Sequence, residues 1–216
     1  MAFQDRQEAG KILATRLLKY AGRSDVLVLA LPRGGVPVGF EVARLLGAPL
    51  DIFVVRKIGI PNHEELAMGA TASGKVRVIN REIVESFGVA AEVLENVAAR
   101  EECEVEERER RYRDAREPSA VEGKVVILVD DGLATGSTMR AAVSALKQRA
   151  PARLVVAVPV ASRETCAEFA GQVDETVCAE TPEPFYSVGE WYEDFSQTSD
   201  AEVRELLQRA AATGAF

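Results

Sequence analysis

Residues 125–139 read VVILVDDGLATGSTM: an unbroken apolar run, two acids, then a loop of small hydroxyl residues and glycine. A short β-branched run bounded by turn residues is the pattern of a strand buried on both faces, so Val125 to Val129 is expected inside a parallel sheet. Asp130 and Asp131 then fall at the strand's carboxyl end, the edge at which open α/β sheets bind ligands. Thr135-Gly136-Ser137-Thr138 can turn several backbone N–H groups and three hydroxyls inward, just before an Ala-rich helix beginning near Met139 whose N-terminus adds partial positive charge. That is a cradle for one phosphate. Two carboxylates would repel a bare phosphate at this range. For a sugar phosphate they accept hydrogen bonds from vicinal ribose hydroxyls while the loop holds the 5′-phosphate. A receiver-type metal site would put its acid pair near a chain's start and leave the loop unexplained. No Lys follows Gly136, as a P-loop requires, and the dinucleotide fingerprint G-x-G-x-x-G is absent.

Val126 to Thr138 resembles the phosphoribosyl pyrophosphate signature of the type I phosphoribosyltransferases, with four apolar residues, two acids and a Thr-Gly-x-Thr loop. Gly132 departs from it, standing where that family usually has a branched apolar residue. The resemblance implies an α/β fold, a parallel-sheet core flanked by helices with a small hood and a flexible loop and hairpin insertion. It implies one domain over 1–216, with core at about 21–60 and 121–180, insertion at about 57–120 and hood at about 181–198. It also implies donor contacts from Leu133, Ala134, Thr135, Gly136, Ser137 and Thr138. Asp130 and Asp131 would act at the ribose and hold Mg²⁺, whether directly, through water or through the ribose.

The chain's 216 residues suffice for one large or two small domains, and strand–helix alternation favours one core with an accessory flap. No stretch reaches the roughly 18 apolar residues of a membrane span, and the N-terminus MAFQDRQEAGKIL lacks a signal-peptide apolar core, so a cytoplasmic protein is expected. Cys103, Cys166 and Cys178 lack metal-like spacing, and their odd number argues against a disulfide framework; they are expected reduced and structural. A net charge of −8 argues against nonspecific nucleic-acid binding through a broad basic surface. It would also repel an anionic sugar pyrophosphate unless cations gather at the cleft. One opposite charge about 4 Å away is worth up to about 4 kcal/mol near a protein surface.

From the N-terminus, Asp5 to Tyr20 carries helical spacing through Ala9, Ile12, Leu13, Leu17 and Leu18. Asp25 to Leu31 is a buried strand, followed by Pro32-Arg33-Gly34-Gly35-Val36-Pro37 and a helix over 38–46. The two glycines allow positive φ and close approach to a ligand. The loop resembles the Arg-Gly-Gly pyrophosphate loop of many phosphoribosyltransferases, which implies that Arg33, Gly34 and Gly35 serve the pyrophosphate. Asp51 to Val55 is a third strand, ending in Arg56-Lys57 and a Gly- and Pro-containing loop to Glu65 that suits a mobile lid. Its start resembles the flexible loops of the orotate and adenine phosphoribosyltransferases, although Ile60 replaces their later Lys and His63 lies one place from the orotate enzymes' His. A lone His in a polar loop reads first as solvated.

Leu66 to Ala72 and Val76 to Ile79 flank Ser73-Gly74-Lys75, a hairpin signal. Ala90 to Asp114 is a long Glu- and Arg-rich helix with a narrow apolar stripe, read as solvated, with a dimer contact as the lesser option. Ala115 to Gly123 links it to the main strand. Beyond the signature come a helix over 139–150, a strand over 153–160, a helix over 164–170 and a short strand over 175–178. Arg163 falls at the same sheet edge as the other candidates and resembles the basic residue that meets the base in purine-handling relatives.

Phe185 to Phe195 packs five aromatics into eleven residues. Read alone, they seal the sheet's edge. The segment resembles the C-terminal hood of the hypoxanthine-guanine phosphoribosyltransferases, which implies Tyr186 stacking on a base, Val188 lining the pocket and Trp191 in reserve. Ala201 to Ala212 closes the chain as a helix with Val203, Leu206 and Leu207 inward.

The resemblance implies transfer of a 5-phosphoribosyl group from phosphoribosyl pyrophosphate to a nucleobase-like acceptor in a homodimer, without nucleic acid or membrane as partner. Asp130, Asp131, Arg33 and Lys57 are the expected catalytic set, with Arg56 beside the pyrophosphate. Ala134 stands where the hypoxanthine-guanine enzymes carry an Asp that takes the base proton, which argues against a plain hypoxanthine-guanine enzyme. Two alternatives stay open: a sensor of phosphoribosyl pyrophosphate or a nucleotide that regulates a partner without turnover, and a hydrolase.

Overall fold

In a computed structural model, which describes residues 3–61, 63–114 and 116–212, the apolar runs form the strands β1 (Val26–Ala30), β2 (Leu50–Ile52), β6 (Val125–Val129), β7 (Arg153–Val160) and β8 (Glu175–Glu180). They make one sheet in the order β2-β1-β6-β7-β8, parallel throughout. Every residue of β1 and β6 is buried, as expected of central strands covered on both faces. Alternation divides them between two cores. Val28, Ala30, Ile127 and Val129 pack with helices α1 (Arg6–Arg16), α2 (Gly35–Leu46) and α7 (Asp200–Ala212). Leu27, Leu29, Val126 and Leu128 pack with α5 (Ser137–Lys147) and with Phe169 of α6 (Arg163–Phe169).

The segment between β2 and β6 departs most from the sequence reading. A second, antiparallel sheet holds β3 (Val55–Ile60), β4 (His63–Ala72) and β5 (Val76–Ile79), followed by α3 (Arg81–Ser86) and α4 (Ala91–Arg113). The expected strand over 51–55 is therefore two strands: the chain leaves the core sheet at Phe53 and Val54, both buried, and the continuous apolar run conceals the break. The expected mobile lid is a flap. Arg56 to Ile60 pairs with β4 across a register shift near Gly59, and Ile58, Ile60 and Met68 are buried with Ala98 of α4. The bulged register and the Gly and Pro residues obscured the period-2 pattern. Ser73-Gly74-Lys75 does close the β4–β5 hairpin. Asn62 and Ala115, in the expected loop and link, lie outside the described residues.

Helix α4 is not simply solvated, because Ala98, Glu101, Val105, Tyr112 and Arg113 are buried along it. Buried Glu and Arg positions look polar to any apolar-stripe count. The cysteine expectation is also corrected: Cys166 on α6 and Cys178 on β8 form a disulfide, with Cα atoms 6.6 Å apart, leaving Cys103 free and exposed. The crossover from β7 through α6 into β8 folds the two together, a proximity that counting cysteines does not reveal. Among the described residues, no helix is long and apolar enough to cross a membrane.

Candidate active site

Asp130 and Asp131 follow β6, and the pyrophosphate-loop candidate, Pro32 to Gly35, follows the adjacent β1, so sheet order sets the two loops side by side. The Pro32–Arg33 peptide is cis. Gly34 has φ −58° rather than the expected positive value; space is what demands glycine here. An added Cβ would lie 2.0 Å from Asp131 Oδ2. The loop and the acid pair are thus in direct contact. The Asp131 N–H donates to Asp130 Oδ1 at 2.9 Å. Burial first, and the neighbouring Asp131 second, push the Asp130 carboxyl well above its ordinary range. Burial also raises Asp131, opposed by Arg6, whose Nε donates to Asp131 Oδ2 at 2.8 Å.

The phosphate-loop candidate runs straight into α5. Gly136 is the residue before the helix, in the left-handed region at φ 67°, and the helix begins at Ser137, two residues earlier than its apolar pattern indicated. Thr135 Oγ1 lies 3.3 Å from Ser137 Oγ and accepts the Ser137 N–H at 3.4 Å. The loop's outer side rests on α6 and α5: Thr165 donates to the Ala134 carbonyl at 3.0 Å, and Arg140 donates to the Thr135 carbonyl at 2.6 Å. Leu133 is buried and bridges Ala161, while Ala134, Thr135 and Thr138 stay exposed at the loop's open side. The N–H groups and hydroxyls here suit an anion.

The remaining sequence candidates disperse. Arg56 and Lys57 lie on β3 and border a cavity of about 720 Å³ that also touches Pro32 and Thr138. Arg33 turns aside to Asp200 on α7, at 3.5 Å. Arg163 is largely exposed, 3.9 Å from Glu183. Tyr186 is 77% exposed. Val188 and Trp191 are partly buried against Phe3, Ala9, Val160 and Tyr192, so most of the hood aromatics do seal the sheet's edge. Val188 also explains the Gly132 departure: a Cβ there would meet Val188 Cγ1 at 2.5 Å.

Three contributors escaped the sequence reading. Arg6 reaches the acid pair from α1, stacked 4.0 Å from the Phe195 ring centroid and donating to the Ser196 carbonyl at 2.7 Å. Tyr192 donates its hydroxyl to the Asp131 carbonyl at 2.6 Å; burial and then Asp131 raise its pKa. Glu101 of α4 accepts from Arg56 at 2.9 Å. Nothing local marks Arg6, which is 125 residues from its partner; the density of aromatics did mark Tyr192.

The family described as "Phosphoribosyl transferase domain" matches residues 4–177. Two Mycobacterium tuberculosis proteins, each named "Putative phosphoribosyl transferase", are 44% identical over 208 residues, covering 96% of this chain and 47% of theirs. The chain thus spans about half the length of these relatives. TT1426 from Thermus thermophilus has a crystal structure that superposes with a TM-score of 0.86 at 42% identity, covering 97% of this chain and 99% of that one. The AQ2163 protein from Aquifex aeolicus shares the fold at a TM-score of 0.51 and 14% identity, covering 94% of this chain and 85% of that one.

Proposed function

This chain belongs to the phosphoribosyl transferase domain family, and from that premise we propose that it transfers a 5-phosphoribosyl group from phosphoribosyl pyrophosphate to a nitrogenous base, releasing pyrophosphate. The observation that carries the reading is the contact of Gly34 with Asp131, which puts the pyrophosphate-loop candidate, the acid pair and the start of α5 at one sheet edge. In this reading the ribose hydroxyls donate to Asp130 and Asp131, and the 135–138 loop takes the 5′-phosphate. Arg6 and Tyr192 orient Asp131 through its carboxylate and its carbonyl. Arg56 and Lys57 offset the charge that accumulates on the leaving pyrophosphate, the electrostatic part of the acceleration. The cavity's shelter limits water at the oxocarbenium-like stage.

Among the described residues no group of three or more His, Cys, Asp or Glu could hold a metal ion. Two adjacent carboxylates nevertheless fit Mg²⁺ that arrives largely on substrate oxygens, which is how that ion usually binds. Asp130 and Asp131 would hold it, directly or through the ribose, and when bound it would neutralise pyrophosphate charge. A homodimer and a cytoplasmic location belong to the same proposal.

The test is pyrophosphate release from phosphoribosyl pyrophosphate and Mg²⁺ across purine, pyrimidine and pyridine bases. Release that depends on one acceptor supports the transferase. Binding without release for every acceptor identifies a sensor, and release without acceptor a hydrolase; either result overturns the proposal. Asp131→Asn and Thr135→Ala are each expected to weaken ribose 5-phosphate binding in titration calorimetry.

A further inference from the structure

The cavity between the flap and α4 has a charge pattern that the acid pair does not account for. In a chain of net charge −8, the described residues lining its 720 Å³ include four cations, Arg56, Lys57, Arg100 and Arg108, against one acid, Glu101. Glu101 is buried and engages two of the four: its Oε2 accepts Arg56 Nε at 2.9 Å and its Oε1 accepts Arg100 Nη2 at 3.1 Å. Neither Lys57 nor Arg108 has an ion pair among the described residues. On the same helix Arg111 pairs with Glu107 and Arg113 with Glu109, each four residues back, and Arg110, though not ion-paired with Glu106, donates to its carbonyl at 3.3 Å. Arg108 has Glu104 at the same spacing and does not pair with it. An unpaired arginine on a glutamate-rich helix, bordering a cavity beside an unpaired lysine, marks a place where negative charge is favoured.

The cavity's position supplies the identity of that charge. It meets the candidate donor site at Pro32 and Thr138, the residues that border the pyrophosphate and 5′-phosphate loops. Arg33, the cation that the pyrophosphate loop itself offers, is turned away to Asp200. From this juxtaposition the structure assigns Arg100 and Arg108 of the inserted helix α4 to the binding of the donor's pyrophosphate group, alongside Arg56 and Lys57, with Glu101 as the residue that positions Arg56 and Arg100. The assignment rests on the phosphoribosyl pyrophosphate reading given above. Guanidinium groups suit the task, since their planar fork meets phosphate oxygens in pairs.

Calorimetric titration of the full chain with inorganic pyrophosphate and Mg²⁺, and separately with ribose 5-phosphate, tests it. The Arg100→Ala/Arg108→Ala double variant is expected to raise the pyrophosphate Kd by about tenfold or more. Its ribose 5-phosphate Kd and melting temperature should stay essentially at the parent's values, and Arg108→Lys should recover much of the affinity. Arg110→Ala, an exposed cation of the same helix that does not border the cavity, should leave both ligands unaffected. The inference is overturned if the folded double variant binds pyrophosphate within twofold of the parent, or if Arg110→Ala weakens it equally. Should the parent bind ribose 5-phosphate but not pyrophosphate, the inference falls and the transferase reading stands. Failure of the parent to bind either ligand would remove both.

Discussion

Gly132 shows how much a missing side chain can decide. Its place in the signature is legible in the sequence, but its reason is Val188, 56 positions on, whose methyl group occupies the space a Cβ would need. Gly132→Val is therefore expected to destabilise the chain by about 1–3 kcal/mol, as overpacking does, at about 2–4 °C of melting temperature per kcal/mol for a chain this size. Adding Val188→Ala should restore part of the loss; an unchanged melting curve for the single variant would contradict the packing. Asp130 carries a second residue-scale prediction. Its folded-state pKa lies above the ordinary 3.8, so between those values the folded chain binds more protons than the unfolded one and stability falls as pH rises. Asp130→Asn keeps an acceptor for the Asp131 N–H and removes the half-buried charge. Its melting temperature should exceed the parent's at pH 7–8, with the difference shrinking as pH falls toward 3.8, while ribose 5-phosphate affinity drops. A less stable Asn variant at neutral pH would show that burial is not what raises the carboxyl.

At the scale of elements, α4 is the part the sequence described least well. Its length was legible from helical composition, its burial was not, because what it buries is charge. Arg113 donates to Asp51 Oδ1 at 2.9 Å and to the Ile52 carbonyl at 2.8 Å, and Asp51 Oδ2 accepts the Ser119 N–H at 2.8 Å. Both side chains are buried. This network joins the end of α4 to β2 and to the link leading into β6. Removing one member leaves the other ion uncompensated, so Asp51→Ala should cost about 3–5 kcal/mol in denaturant unfolding. A loss under about 1 kcal/mol would mean that water reaches the site and screens it. Of the flap, the β4–β5 hairpin was legible and β3 was not, for a related reason: β3 pairs with β4, and pairing is a relation between segments that neither segment's composition states.

Across the whole molecule, Asp200 ties the inserted helix α4, the 32–35 loop and the C-terminal helix α7 together. It accepts from Tyr112 at 2.8 Å, from Arg111 at 3.1 Å and from Arg33 at 3.5 Å. Asp200→Ala should lower stability by about 1–3 kcal/mol by stranding the buried Tyr112 hydroxyl, whereas Tyr112→Phe, which removes that hydroxyl along with its need for a partner, should cost less. Equal losses in thermal melts would assign the effect to the Tyr112–Asp200 hydrogen bond that both variants remove, not to a stranded hydroxyl. Sequence alone determined the parallel core, the acid pair at its edge and the loop that follows, because those depend on apolar runs and turn residues that are contiguous in the chain. Only the tertiary structure decided that Arg6 grips Asp131, that Arg33 faces α7, that Cys166 meets Cys178 and that α4 brings its arginines to a cavity. Each of those is a distance across the fold, 12 residues apart in the chain for the cysteines and 125 for Arg6 and Asp131, set by how the sheet orders its strands and how the helices cover it, and no local pattern encodes such a distance.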